Sequence, residues 1–89
     1  DVEPQAIRRE ADGSYRVPAR MRISQLNKEL GLSLPESEDY ETVAGLLLDQ
    51  LKHIPKIGES LLLGGATLTV ATASDRRIEE VVLRTGKRR

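Results

Sequence analysis

The 89 residues contain no cysteine, phenylalanine or tryptophan, and the aromatics amount to Tyr15 and Tyr40. Without thiols there is no disulfide framework, no thiolate nucleophile and no Cys-ligated zinc; a cysteine-free chain suits a reducing compartment. Two tyrosines are too few for a base-stacking platform. Charge of one sign is lacking too. Fourteen Lys and Arg balance fourteen Asp and Glu, so no overall field draws the chain to nucleic acid, which is excluded as a partner. No apolar run approaches the roughly 20 residues that cross a bilayer as a helix, and no signal-peptide pattern opens the chain. The lone methionine is Met21 and the first residue is Asp1, as expected of a piece of a longer protein.

What is present is one small domain with a core of Leu, Val, Ile and Ala. Its stability is expected to be modest, on the order of 5 kcal/mol, so a covalent neighbour or partner matters. Residues 1–9 read as a linker or edge segment, 10–84 as the domain and 85–89 as a basic tail ending in Lys87-Arg88-Arg89. The turn signal Asp12-Gly13 precedes a short strand at Ser14–Val17, which Pro18 closes. Ser24 is the expected N-cap of a first helix. Leu26 and Leu30 share its face, and Gly31 ends it in the left-handed conformation. After a polar loop, Glu36-Ser37-Glu38-Asp39, Thr42 caps a second and mostly buried helix.

The spacing of Val43, Leu47, Leu51 and Ile54 is one helical stripe, widened by Leu46 and Leu48. Pro55 ends it. Gly45 in the first turn costs up to about 1 kcal/mol relative to alanine, which makes sense where another backbone passes close by. Ser60–Leu63 and Ala66–Thr72 form a hairpin around Gly64-Gly65, with Leu68 and Val70 on one face. Asp75-Arg76 makes a second turn. Ile78, Val81 and Leu83 cannot share one face of a regular strand, which predicts a bulge near Glu79-Glu80. The order β-α-α-β-β-β describes an α+β domain, two helices on one face of a mainly antiparallel sheet.

The stretch His53-Ile-Pro-Lys-Ile-Gly-Glu-Ser60 invites a catalytic reading. A nucleophile elbow, however, needs Gly-x-Ser-x-Gly between a strand and a helix. Here the second glycine is missing and the order is helix, turn, strand. A Ser-His pair would have to use His53, the lone histidine, and nothing in the sequence places it against Ser60. A histidine at a helix end is the better reading, because the negative helix C-terminus favours it. Neither phosphate-loop motif occurs.

Glu36, Glu38, Asp39 and Glu41 are weak candidates for a hard cation such as Mg²⁺ or Ca²⁺. Their spacing does not match the calcium loop, and acid enrichment ahead of a helix N-terminus explains them as well. The basic tail lacks an apolar anchor for a lipid surface. The residues alone indicate a binding or regulatory module with no catalytic group, no cofactor and no assigned metal. An exposed sheet edge makes a homodimer plausible.

Thr42-Val-Ala-Gly45, Ile54-Pro55-x-x-Gly58-Glu59, the Gly64-Gly65 hairpin, Leu68-x-Val70 and Arg77-Ile78-x-x-Val81 together resemble the transporter-associated domain of the CorC/HlyC family. Asp12-Gly-Ser-Tyr15 is similar to that family's opening strand. Family members often have glycine where Ala19 and His53 stand, and an aromatic where Leu68 stands. The resemblance implies a fold similar to part of the FAD-binding (PCMH-like) fold. It also implies a cytoplasmic C-terminal domain following a membrane region and a CBS pair, in magnesium/cobalt efflux proteins and hemolysin-like proteins. In such proteins the domain modulates ion transport without catalysis. The alternative is a small-molecule sensor that binds a nucleotide, a flavin or a divalent ion.

Overall fold

Side-chain alternation decides where the sheet lies and which way it faces. The computed structural model describes residues 7–74 and 76–85. Its strands are β1 (Arg8–Arg9), β2 (Tyr15–Pro18), β3 (Ser60–Leu63), β4 (Ala66–Ala73) and β5 (Ile78–Thr85), and its helices are α1 (Ile23–Leu30) and α2 (Val43–Leu51). All pairings are antiparallel, in the order β1-β2-β5-β4-β3. The α+β architecture is the expected one, with β1 added as an edge strand. Residues 1–6 and 86–89 of the expected linker and tail, and Asp75 of the second turn, lie outside the described residues.

Register sorts the side chains into two faces. One row runs Tyr15, Leu83, Leu68, Leu61 and the next in phase runs Val17, Val81, Val70. These rows join Ile23, Leu26, Val43, Leu46 and Leu47 of the helices in a single core. Each fully buried leucine contributes roughly 2 kcal/mol of transfer free energy. The intervening row, Arg16, Val82, Thr69 and Ser60, faces away from the helices. Near its far end the β4–β5 register shifts between Val70 and Ala73, with Ala71 the extra residue on β4 and Glu79 the extra residue on β5. That double irregularity brings Ile78, Val81 and Leu83 all into the core.

Two helix boundaries differ from expectation. α1 begins after Arg22, with no side-chain cap, and Ser24 is an exposed residue of its first turn. Tertiary bonding replaces the cap. Arg22 bridges to Thr42, and the Ile23 N–H donates to the Glu41 carbonyl at 2.8 Å, so burial of Ile23 sets the start. α2 ends at Leu51, where Lys52 turns left-handed at φ 65° and its N–H closes on the Leu48 carbonyl. Ile54 therefore leaves the stripe and is 54% exposed, and Leu48 also faces solvent, while Pro55 is buried. The geometry disfavoured before a proline had already been abandoned two residues earlier.

The start of α2 has a partner for each early donor. The Val43 N–H donates to the Met21 carbonyl at 3.0 Å and the Ala44 N–H to the Ala19 carbonyl at 2.9 Å. The Gly45 N–H donates to Thr42 Oγ1 at 3.1 Å. A Cβ on Gly45 would lie 2.9 Å from the Tyr40 Cβ and 3.7 Å from its Cα, so the close neighbour is Tyr40. Gly45→Ala is thus expected to destabilise by about 1–3 kcal/mol through overpacking, against the gain of up to about 1 kcal/mol that helix propensity alone would give. Thr42→Ala is expected to cost about 1 kcal/mol. Urea titration of each variant measures both.

Candidate functional site

The junction between α2 and β3 holds the residues that suggested chemistry. Beyond the left-handed Lys52, His53 Nδ1 lies 2.8 Å from the Leu51 carbonyl and Nε2 lies 2.5 Å from Glu59 Oε2. The carbonyl can only accept, so Nδ1 is the donor in that contact. The other Glu59 oxygen accepts from the Lys56 N–H at 2.9 Å. Gly58 reverses the chain at φ 92°, its N–H donates to the Val70 carbonyl, and the Val70 N–H donates to the Glu59 carbonyl. Ser60 points the other way, with its Oγ 2.8 Å from Thr69 Oγ1. His53 and Ser60 are not brought together. The geometry is that of a turn closed by a carboxylate, and it lacks a nucleophile beside a base.

In the acidic loop, two of the four candidate carboxylates, Glu36 and Glu41, have local partners. Glu36 accepts from Asn27 Nδ2 at 3.3 Å, the Asp39 N–H donates to Ser37 Oγ, and Glu41 lies 4.0 Å from Arg22. Asn27 also donates from Nδ2 to the Leu34 carbonyl and accepts at Oδ1 from the Leu34 N–H, pinning the loop much as a paired strand would. The Tyr40 hydroxyl donates to the Pro35 carbonyl at 2.9 Å. Burial, then the charges of Asp49 and Asp39, push that hydroxyl above its ordinary value. Among the described residues no three His, Asp or Glu side chains converge closely enough to hold a metal ion.

Surface concavities are shallow. One of about 400 Å³ lies over Glu10, Asp12, Ser14, Arg16 and Arg84. Its charges already answer one another. Arg84 meets Asp12 at 3.0 Å, and Arg16 meets Glu80 at 3.0 Å and Glu10 at 3.5 Å. Arg8 reaches Glu80 at 3.4 Å, and the Arg9 guanidinium sits 5.7 Å from the Tyr15 ring centre. A second concavity of about 400 Å³ separates Leu30–Ser33 from the Gly64-Gly65 turn.

With that geometry in place, comparison with known proteins becomes specific. The family model described as "Transporter associated domain", CorC_HlyC, matches residues 8–87. The chain belongs to the CorC/HlyC transporter-associated domain family. It is 35% identical over 75 residues to the UPF0053 protein YegH of Escherichia coli (strain K12), covering 84% of this chain and 14% of that protein. It is 24% identical over 81 residues to the magnesium and cobalt efflux protein CorC of Buchnera aphidicola, covering 91% of this chain and 28% of that protein. The chain thus spans less than a third of the curated relatives it matches. Among solved structures, a hemolysin domain from Enterococcus faecalis V583 superposes with a TM-score of 0.81 at 29% identity, covering 91% of this chain and 98% of that one.

Within this CorC/HlyC domain, the residues that carried the resemblance occupy caps, turns and core. Thr42 caps α2, Gly45 abuts Tyr40, Pro55 is buried and Glu59 closes the turn before β3. Gly64 and Gly65 take φ 62° and 81° in a two-residue hairpin, and Ile78 is buried. Sequence reading missed the ion pairs on the open face, because Arg16 and Glu80 are 64 positions apart. It also missed the Asp12 turn, where the carboxylate accepts from the Ser14 hydroxyl at 2.6 Å and from its N–H at 2.9 Å.

Those Ser14 bonds, then Arg84, lower the Asp12 carboxyl from 3.8 to about 2. The Lys56 N–H, then His53, lower Glu59 below 4.5. Both groups bind protons more weakly when folded. Their contributions are therefore present above the ordinary values and are lost as pH falls through the folded ones. Asp12→Asn is expected to flatten the fall in stability between pH 3.8 and about 2, and Glu59→Gln to flatten it below pH 4.5. Denaturant titrations of each variant across these windows measure the slopes.

Proposed function

We propose that this chain is a non-catalytic regulatory and assembly domain of a longer membrane ion-transport protein, of the magnesium/cobalt efflux or hemolysin-like kind. Its place is on the cytoplasmic side, beside a membrane region and a CBS pair, and two copies associate. The observation that carries the reading is the family match over residues 8–87. The site geometry adds to it, since His53 and Glu59 are bonded to each other within a turn and Glu80 and Asp12 are paired with arginines of neighbouring strands. No described helix is long and apolar enough to cross a membrane, so transport itself would fall to other parts of the parent.

Deleting residues 10–84 from the parent is expected to change ion flux or oligomeric state while the membrane part still folds. Unchanged flux and assembly would overturn the proposal. Calorimetry of the domain with ADP, ATP, FAD and Mg²⁺ is expected to give no binding heat; saturable heat with any of them would replace the regulatory reading by the sensor one.

A further inference from the structure

The two edges of the sheet differ in a way that selects a partner. β1 is two residues long and both are arginine. β3 is Ser60-Leu61-Leu62-Leu63, uncharged throughout and without proline, so it lacks the guards that usually blunt a free edge. Leu62 is 73% exposed and Ile57, just before the strand, is 64% exposed. On the face beside this edge the Ser60 and Thr69 hydroxyls bond to each other and carry no charge.

The hydrogen-bond phase of β3 follows from its neighbour. The Val70 N–H donates to the Glu59 carbonyl and the Gly58 N–H donates to the Val70 carbonyl, so Gly58 and Glu59 together face Val70 at a bonded position. In an antiparallel ladder bonded and non-bonded pairs alternate. Leu61 with Leu68, and Leu63 with Ala66, are therefore bonded pairs, whereas Ser60 with Thr69 and Leu62 with Thr67 are not. The N–H and C=O groups of Ser60 and Leu62 point away from β4, on the side where no further strand pairs among the described residues.

We infer that β3 is a self-association edge, on which a second copy of this chain pairs antiparallel about a two-fold axis at Leu61. In that register Ser60 opposes the partner's Leu62 and Leu62 opposes the partner's Ser60, so four bonds use all the outward groups. Leu61 opposes the partner's Leu61, and both helix layers stay on one side of a continuous sheet. A two-fold pairing of β1 would set four arginines together. A β1-to-β3 pairing would be head-to-tail and would leave an edge open for further addition. With 14 positive and 14 negative residues, no net repulsion separates two copies. The contact is far smaller than the roughly 1,200–2,000 Å² of a stable interface. Pairing of the isolated domain is therefore weak and strengthens where the parent holds two copies together. The inference rests on the assembly reading above.

Because the chain has no cysteine, single substitutions read the register directly. Opposed residues of a non-bonded pair have Cα atoms about 4.5 Å apart, within disulfide range. In the proposed register the two copies of position 63 are on the order of 13 Å apart. Under a mild thiol oxidant, Leu61→Cys is expected to give a covalent dimer and Leu63→Cys to stay monomeric. Adding Leu62→Pro to Leu61→Cys removes an outward N–H without touching the β3–β4 bonds and is expected to abolish the dimer. Leu62→Lys does the same by charge, should the proline variant fail to fold by circular dichroism. No dimer from Leu61→Cys, equal yields at positions 61 and 63, or a dimer unaffected by a folded Leu62 variant would each overturn the inference. Failure here with altered flux on deletion of the domain would remove the edge contact alone and leave the regulatory reading in place.

Discussion

The backbone link between residues 19–23 and 41–45 is the constraint on which the rest of the structure depends. Three backbone hydrogen bonds meet there. The carbonyls of Ala19 and Met21 accept from the first two N–H groups of α2, and the Ile23 N–H donates to the Glu41 carbonyl, which makes Arg22 and Thr42 a bridged pair. A helix leaves its first donors without intrahelical partners, and here the chain leaving β2 supplies partners. One link therefore ends a strand, starts α1 and caps α2. It also places both helices on the same face of the sheet, because the strand that feeds it runs along that face through Val17.

From that link the division of polar and apolar groups follows. Side chains in phase with Val17 go to the core, and those in phase with Arg16 go to the open face. On the β1–β2–β5 side the open face is a lattice of opposite charges that ties strands distant in sequence. On the β4–β3 side it is threonine, serine and an exposed leucine. Exposed ion pairs of this kind contribute little stability each, so their main consequence is to leave few charges unpaired there. The uncharged half and the free β3 edge are continuous, and that continuity gives the domain a directional surface despite its even charge balance.

Much of the fold was legible in the residues. Gly31 and the Gly64-Gly65 pair carry conformations that glycine adopts at least cost. The leucines of α2 repeat at helical spacing, and the uneven spacing of Ile78, Val81 and Leu83 required the irregularity that the register shows at Glu79. What misled was local chemistry overruled by tertiary bonding. Ser24 has the right side chain for a cap, but Ile23 is pulled into the core and its N–H is satisfied by Glu41. Ile54 has the right spacing for the α2 stripe, but Lys52 turns the chain before it arrives. The candidate site was legible as a list of residues and not as an arrangement. His53 and Ser60 are seven positions apart, yet they lie on opposite faces of a strand's beginning, while His53 and Glu59 meet.

By itself the sequence determined the class of fold, the family, and the lack of thiol, phosphate-loop and elbow chemistry. All of these depend on which residues occur and on periods of a few positions along the chain. Only the tertiary structure decided that Arg16 pairs with Glu80, that Thr42 and Met21 share a junction, and that β3 ends the sheet with its Ser60 and Leu62 amides outward. Those facts belong to strand register and sheet order. Register joins residues tens of positions apart through backbone groups that are chemically alike at every position, so no local pattern encodes it.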